Sequence, residues 1–188
     1  WNKEPTAQII CDLHYSDGRP SALAPRQVLK NIIDLLDKEK LKAVVAPELE
    51  FYLCEQNLDP DLPLKTPIGK SGRREKGSRV FGIDAVNEFD DLTDDIYDYC
   101  EILQIGVDTL IHESGPSQIE INLNHGDPLQ LADQAFMFKR AVRQVALKHG
   151  IHATFMSKPY QGHPGSSMHI HQNIISKITN KNLFSDEN

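Results

Sequence analysis

The sequence predicts an α+β domain, a mostly antiparallel curved sheet with helices packed outside it. Three observations support this. Apolar residues switch between period-2 and helical spacing in the order β-α-β-α-β-β-α-β-β. Several of the strands carry a polar face, as strands do in antiparallel sheets that are wetted on one side. Breaks rich in Gly and Pro separate the segments, and 188 residues suffice for one sizeable core.

In chain order, Ala7 to Leu13 reads as a strand, followed by a turn at Ser16-Asp17-Gly18. Pro25 suits a first helical position, and Leu29, Ile32, Ile33 and Leu36 give a helix from Ala24 to about Lys40. Lys42 to Cys54 is strand-like. From Glu55 to about Val80 the chain turns polar, with a basic run at Lys70 to Lys76. This segment is expected to be a surface loop without a core of its own, the most mobile part of the chain.

Asn87 to Gln104 follows as a second helix, with Phe89, Leu92, Ile96, Cys100 and Leu103 on one stripe. Its acidic front half suits the positive end of the helix dipole, so those carboxylates need no metal to explain them. Strands are expected at Val107 to His112 and at Ser117 to His125. Asp127-Pro128 then caps a third helix that runs to His149, with Leu131, Ala135, Phe138, Val142 and Val145 facing a core. Ile151 to Met156 and a last strand through His169, His171 and Asn173 complete the order.

Composition narrows the function. No apolar run approaches the roughly 20 residues that a bilayer requires, so no membrane partner is expected. Asp plus Glu number 27 against 20 Lys plus Arg, a net charge of −7, which argues against a nucleic-acid partner. Cys11, Cys54 and Cys100 are odd in number and lack metal-type spacing, which fits a reducing, cytoplasmic setting. The first residues form neither a signal nor a transit peptide, and the chain, which lacks an initiator Met, reads as a piece of a longer one.

Chemistry concentrates on the strand faces. Glu48 and Glu50 are two apart, so both carboxylates leave one face, and like charges placed together there are costly unless a cation separates them. Glu120 shares a polar face with Gln118 and Asn122, and Glu113 precedes it across a Gly-Pro turn. His169, His171 and Asn173 alternate along the last strand, a pattern that fits a wet edge strand as well as a ligand pair. Four carboxylates and one imidazole exceed what one cation needs and suit two or three ions such as Mg²⁺ or Mn²⁺. A zinc hydrolase more typically shows two or three His and one carboxylate. The balance leans toward phosphate-handling chemistry.

Four motifs resemble, in order and spacing, the catalytic domain of the glutamine synthetase family. They are Pro47-Glu48-Leu49-Glu50-Phe51, Glu113 through Gln118-Ile119-Glu120-Ile121, Ala153 through Lys158-Pro159, and Gly165 through His169-Ile170-His171. The likeness runs from about Gln8 to Asn173. The forms around Glu48 to Leu53 and Gln118 to His125 are similar to the γ-glutamylpolyamine synthetase branch.

The resemblance implies roles for these positions. Glu50, Glu113 and Glu120 match the ligands of one metal, and Glu48 and His169 match two ligands of a second. Glu50, Gly165 and His169 match substrate-side positions, whereas His125, His171 and Asn173 match positions on the nucleotide side. The implied reaction uses ATP and Mg²⁺ or Mn²⁺ to join glutamate to ammonia or an amine through an acyl phosphate, in a ring of identical subunits. Ser167, Asn173 and Pro164 depart from residues common in the family and bear on substrate identity.

Residues 1–188 would be the N-terminal part of the catalytic domain, without the family's β-rich N-terminal domain or the rest of the catalytic domain. Such a piece is expected to show little ligase activity alone. Two other classes remain open, a non-catalytic metal- or nucleotide-binding relative and a zinc-dependent hydrolase built on His169 and His171.

Overall fold

The computed structural model describes residues 4, 6–77 and 79–186. Its elements are α1 (Pro25–Lys38), β1 (Leu41–Glu55), α2 (Ile83–Val86), a 3₁₀ turn (Asn87–Phe89), α3 (Asp90–Ile102), β2 (Val107–His112), β3 (Gln118–Leu123), α4 (Pro128–Lys148), β4 (Ile151–Thr154) and β5 (Met168–Ser176). The strands form one five-stranded sheet in the order β2-β3-β1-β4, and β5 also pairs with β1. The β1–β3, β1–β4 and β2–β3 pairs are antiparallel, so the α+β architecture holds.

The chain divides into two compact units. The first comprises Pro47–Asn124 and Phe136–His169, and the second comprises the remaining described residues. In the first unit, Leu49 to Cys54 of β1 and all of β3 except Asn122 are buried, so both faces are covered there. Leu49, Phe51 and Leu53 share the apolar face with Ile119, Ile121 and Leu123, whereas Glu50 and Tyr52 share the other with Gln118 and Glu120. Also buried are Leu92, Ile96 and Cys100 of α3 and Phe138, Val142 and Val145 of α4, most of the stripes that helical spacing predicts. Phe155 adds a ring beside Phe51, with centroids 5.2 Å apart.

In the second unit Asp127 caps α4, its Oδ1 accepting the N–H groups of Leu129 and Gln130 at 3.0 Å each. Arg26 of α1 grips Asp133 through two bonds of 3.0 Å. Val45 and Gly126 exchange backbone bonds of 3.0 and 2.9 Å.

The structure corrects three expectations. Residues 7–13 form no strand. Ile9 and Leu13 are exposed, and the nearby ladder contact is an isolated bridge between His14 and Pro20. A β-prone run becomes a strand only where a neighbour takes up its backbone groups.

The helix expected from Asn87 begins earlier, at Ile83, and passes through the 3₁₀ turn before α3 settles at Asp90. The polar segment between β1 and α2 contains no helix or strand among its described residues, yet it is tied down. Lys70 N donates to Glu88 O at 2.9 Å, Ser71 N to Glu88 Oε2 at 3.0 Å and Thr66 Oγ1 to Glu75 O at 3.1 Å, while Arg74 pairs with Glu55.

Candidate functional site

The register of β1 against β3 sets the geometry of the acidic face. Glu50 lies opposite Glu120, and Glu48 lies opposite Asn122, while Leu49 and Phe51 pair with Ile121 and Ile119 on the apolar side. On β2, Ile111 pairs with Glu120, so Glu113, two residues further on, leaves the strand end on the acidic face. His169 enters from the start of β5.

One ligand atom from each of Glu48, Glu120 and His169 lies within 4.8 Å of the others, and His169 Nδ1 is 3.3 Å from Glu48 Oε2. Glu120 is buried, at 7% exposure, while His169 is open to solvent. Burial, followed by the charges of Glu48, Glu113 and Glu50, holds the Glu120 carboxyl above the usual carboxylate range.

Glu50 is engaged differently. Its Oε2 accepts from Gln118 Nε2 and from Ser167 N, each at 3.0 Å. Gln118, itself buried, also donates to Gly165 O at 2.9 Å and accepts from Gly115 N at 2.8 Å. Gly165 tolerates no side chain, since a Cβ would sit 2.7 Å from Ser157 O. The neighbouring Pro164 O accepts from Tyr52 Oη at 2.8 Å, and burial together with the charges of Glu50 and Glu113 pushes that phenol up to about 12. Glu113 Oε2 accepts from Ser114 N at 3.2 Å.

A cavity of about 200 Å³ opens beside Glu50, lined also by Lys139, Phe155, Ser166 and Ser167. Lys139 Nζ stands 5.1 Å from the centre of the Phe155 ring, a cation–π contact.

The structure thus gathers Glu48, Glu120 and His169 most closely, with Glu50, Glu113 and Gly165 in the same unit. His125, His171 and Asn173 belong to the second unit, where His125 and His171 are exposed and Asn173 Oδ1 accepts from Asn182 Nδ2 at 2.9 Å. The sequence pattern did not point to Lys139, placed Gln118 on the polar face of Glu120 without a role, and marked Ser167 only as a departure from the family pattern. Gln118 shares the alternation of Glu120 and could have been found. Ser167 acts through its backbone N–H, which side-chain patterns do not register.

Two carboxylates and an imidazole within reach of one point, beside further acidic charge, suit a hard or borderline divalent cation such as Mg²⁺ or Mn²⁺. An antiparallel sheet with apolar side chains on one face and an acidic cluster on the other defines the class, an α+β domain.

The chain belongs to the glutamine synthetase catalytic-domain family, since residues 22–188 match the family described as "Glutamine synthetase, catalytic domain". It is 40% identical over 183 residues to gamma-glutamylputrescine synthetase PuuA of Escherichia coli (strain K12), covering 95% of this chain and 38% of that protein. It is 34% identical over 173 residues to a glutamine synthetase of Pyrococcus abyssi, covering 92% and 37%. A solved structure titled "Apo GmaS without ligand" superposes with a TM-score of 0.78 at 28% identity, covering 94% of this chain and 40% of that one. The chain therefore spans well under half the length of these relatives.

Proposed function

We propose that this chain is part of an ATP-dependent carboxylate–amine ligase that forms a γ-glutamyl amide. The observation that carries this reading is the convergence of Glu48, Glu120 and His169 in a chain of this family. Bound Mg²⁺ or Mn²⁺ would neutralise phosphoryl oxygens and help align the attacking and leaving groups.

The protein's own work is positional. Glu48 and His169 hold one cation and Glu50, Glu113 and Glu120 the other, with a ligand atom of Glu120 within 4.8 Å of those of Glu48 and His169. Gln118 and Ser167 N–H fix the orientation of Glu50, and Tyr52 and Gln118 fix the Pro164–Gly165 backbone that meets the amino-acid substrate. His125, His171 and Asn173 serve the nucleotide side.

In the proposed reaction a γ-carboxylate oxygen of glutamate bonds to the γ-phosphorus of ATP as the bond to ADP breaks. Ammonia or a primary amine then attacks the acyl carbon, phosphate leaves with the C–O bond, and the nitrogen gives up one proton. The greater likeness to a putrescine ligase than to the Pyrococcus enzyme favours an amine as acceptor. Assembly as a ring of subunits and a reducing, cytoplasmic setting, in which three free thiols persist, complete the proposal.

The test is Mn²⁺ titration of the wild type, Glu48→Gln, Glu50→Gln and His169→Ala. Saturable binding that weakens by about tenfold or more in each variant is expected. Equal affinity in wild type and variants would remove the basis of the reading.

A further inference from the structure

The polar segment between β1 and α2 has no part in the proposed chemistry, yet one of its carboxylates is not on the surface. The Glu75 side chain is 11% exposed, and its partner His112 is 1% exposed. Glu75 Oε2 lies 2.9 Å from His112 Nε2 and accepts the backbone N–H of Ser117 at 2.6 Å. The other ring nitrogen, His112 Nδ1, stands 2.8 Å from Glu113 O. One side chain from a distant loop therefore touches both ends of the turn that joins β2 to β3.

That turn needs outside support. Ser117 is fully buried with φ +58, a conformation that residues other than Gly rarely adopt. Its carbonyl accepts from Leu53 N at 2.9 Å, and Glu113 N donates to Gln118 O at 2.9 Å to close the turn. Glu113 leads into this turn, and Gln118 and Glu120 follow it. His112 pairs with Ile119 across the ladder, whereas Ile111 pairs with Glu120, so the imidazole leaves the sheet on the face opposite the carboxylates. Glu75 braces the acidic face from behind.

The arrangement is a poor one for stability alone. Glu75 Oε1 and Ser117 Oγ are buried without a hydrogen-bond partner, and an apolar contact would avoid that desolvation cost. Groups behind a site that orient its ligands bear such a cost for another reason, since a misaimed carboxylate binds its cation less tightly.

We propose that Glu75 is a positioning residue, which through His112 and Ser117 fixes the Glu113–Gln118 turn and so the aim of Glu113 and Glu120. This rests on the divalent-cation reading above. The experiment is Mn²⁺ titration of the 188-residue chain, following free Mn²⁺ by electron paramagnetic resonance and folding by circular dichroism.

Glu75→Ala is expected to weaken Mn²⁺ binding by about 10- to 100-fold. Glu75→Gln, whose amide oxygen can still accept the Ser117 N–H, should retain more of the affinity than Glu75→Ala. Wild-type binding with unchanged affinity in Glu75→Ala overturns this inference and leaves the cation reading standing. A wild type that binds no Mn²⁺ overturns both. Should Glu75→Ala fail to fold, Glu75→Asp carries the test. Its side chain is one methylene too short to span both partners, and wild-type affinity in that variant overturns the proposal.

Discussion

Gln118→Ala should cost this chain about 3–4 kcal/mol. The buried amide makes three short bonds at once, accepting from Gly115 N and donating to Gly165 O and to Glu50 Oε2, besides a longer contact of 3.4 Å from Nε2 to Ser166 Oγ that adds little. The two bonds to neutral backbone contribute about 1 kcal/mol each, and the bond to a carboxylate contributes about 1.5–3 kcal/mol. Their sum, about 3.5–5 kcal/mol, is trimmed because bonds that share one side chain are not independent. For a chain of this size that lowers Tm by about 10 °C, readable by thermal circular dichroism. A shift below about 3 °C would refute the bond count.

The isosteric Gln118→Glu variant tests the chemistry of the same contact. It sets a second carboxyl where a donor stood, 3.0 Å from Glu50 Oε2. Two carboxylates so placed do not both ionise readily, so the folded state holds a proton above the unfolded value of about 4.3. A raised folded value means that the stabilising proton is present below the unfolded value and lost as pH rises through the folded one. The variant should therefore approach wild type in acid and fall away toward neutrality, and Glu50→Gln added to it should restore stability. Equal stability at pH 4 and pH 7 would sink this account.

Two further outcomes follow from burial and charge. Burial pushes the Cys54 thiol up to about 11 and the Cys100 thiol up to about 12, while Cys11 is exposed. A disulfide reagent near pH 8 should modify one thiol in the native chain and three in denaturant, and rapid native reaction of a second thiol would contradict the packing. Glu120→Gln removes a like charge directly opposite Glu50, so it should stabilise the metal-free chain near neutrality by about 0.5–1 kcal/mol. The Glu120 carboxyl is raised in the fold, so wild type recovers this difference as pH falls through that raised value, and a difference that does not shrink in acid would count against the crowding.

How far the sequence could be read depended on how local the cause was. The α4 helix was legible because Asp127-Pro128 caps it and its apolar stripe from Leu131 to Val145 is buried as spacing predicts. The Glu48–Glu50 pair was legible because strand parity alone sends both to one face. Residues 7–13 misled because their β-prone composition says nothing of a partner. The segment after β1 misled because polar composition reads as solvated surface, whereas Glu75 and Glu88 act as polar anchors. The grip of Gln118 and Ser167 N–H on Glu50 depends on β1, β3 and the loop before β5 meeting in space.

The acidic face can persist because the reverse face fixes it. Sliding β1 by one residue against β3 would turn Glu48 and Glu50 into the apolar face and Leu49, Phe51 and Leu53 onto the acidic one, so the apolar alternation pins the register and with it the carboxylate spacing. Burying Leu49, Phe51, Leu53, Ile119 and Ile121 contributes about 1.5–3 kcal/mol each, against about 1 kcal/mol or less for a directly opposed like-charge pair. The fold therefore tolerates the crowding of Glu50 against Glu120 without help from a cation. The apolar face of the sheet sets the register, and through it the spacing of the carboxylates on the other face.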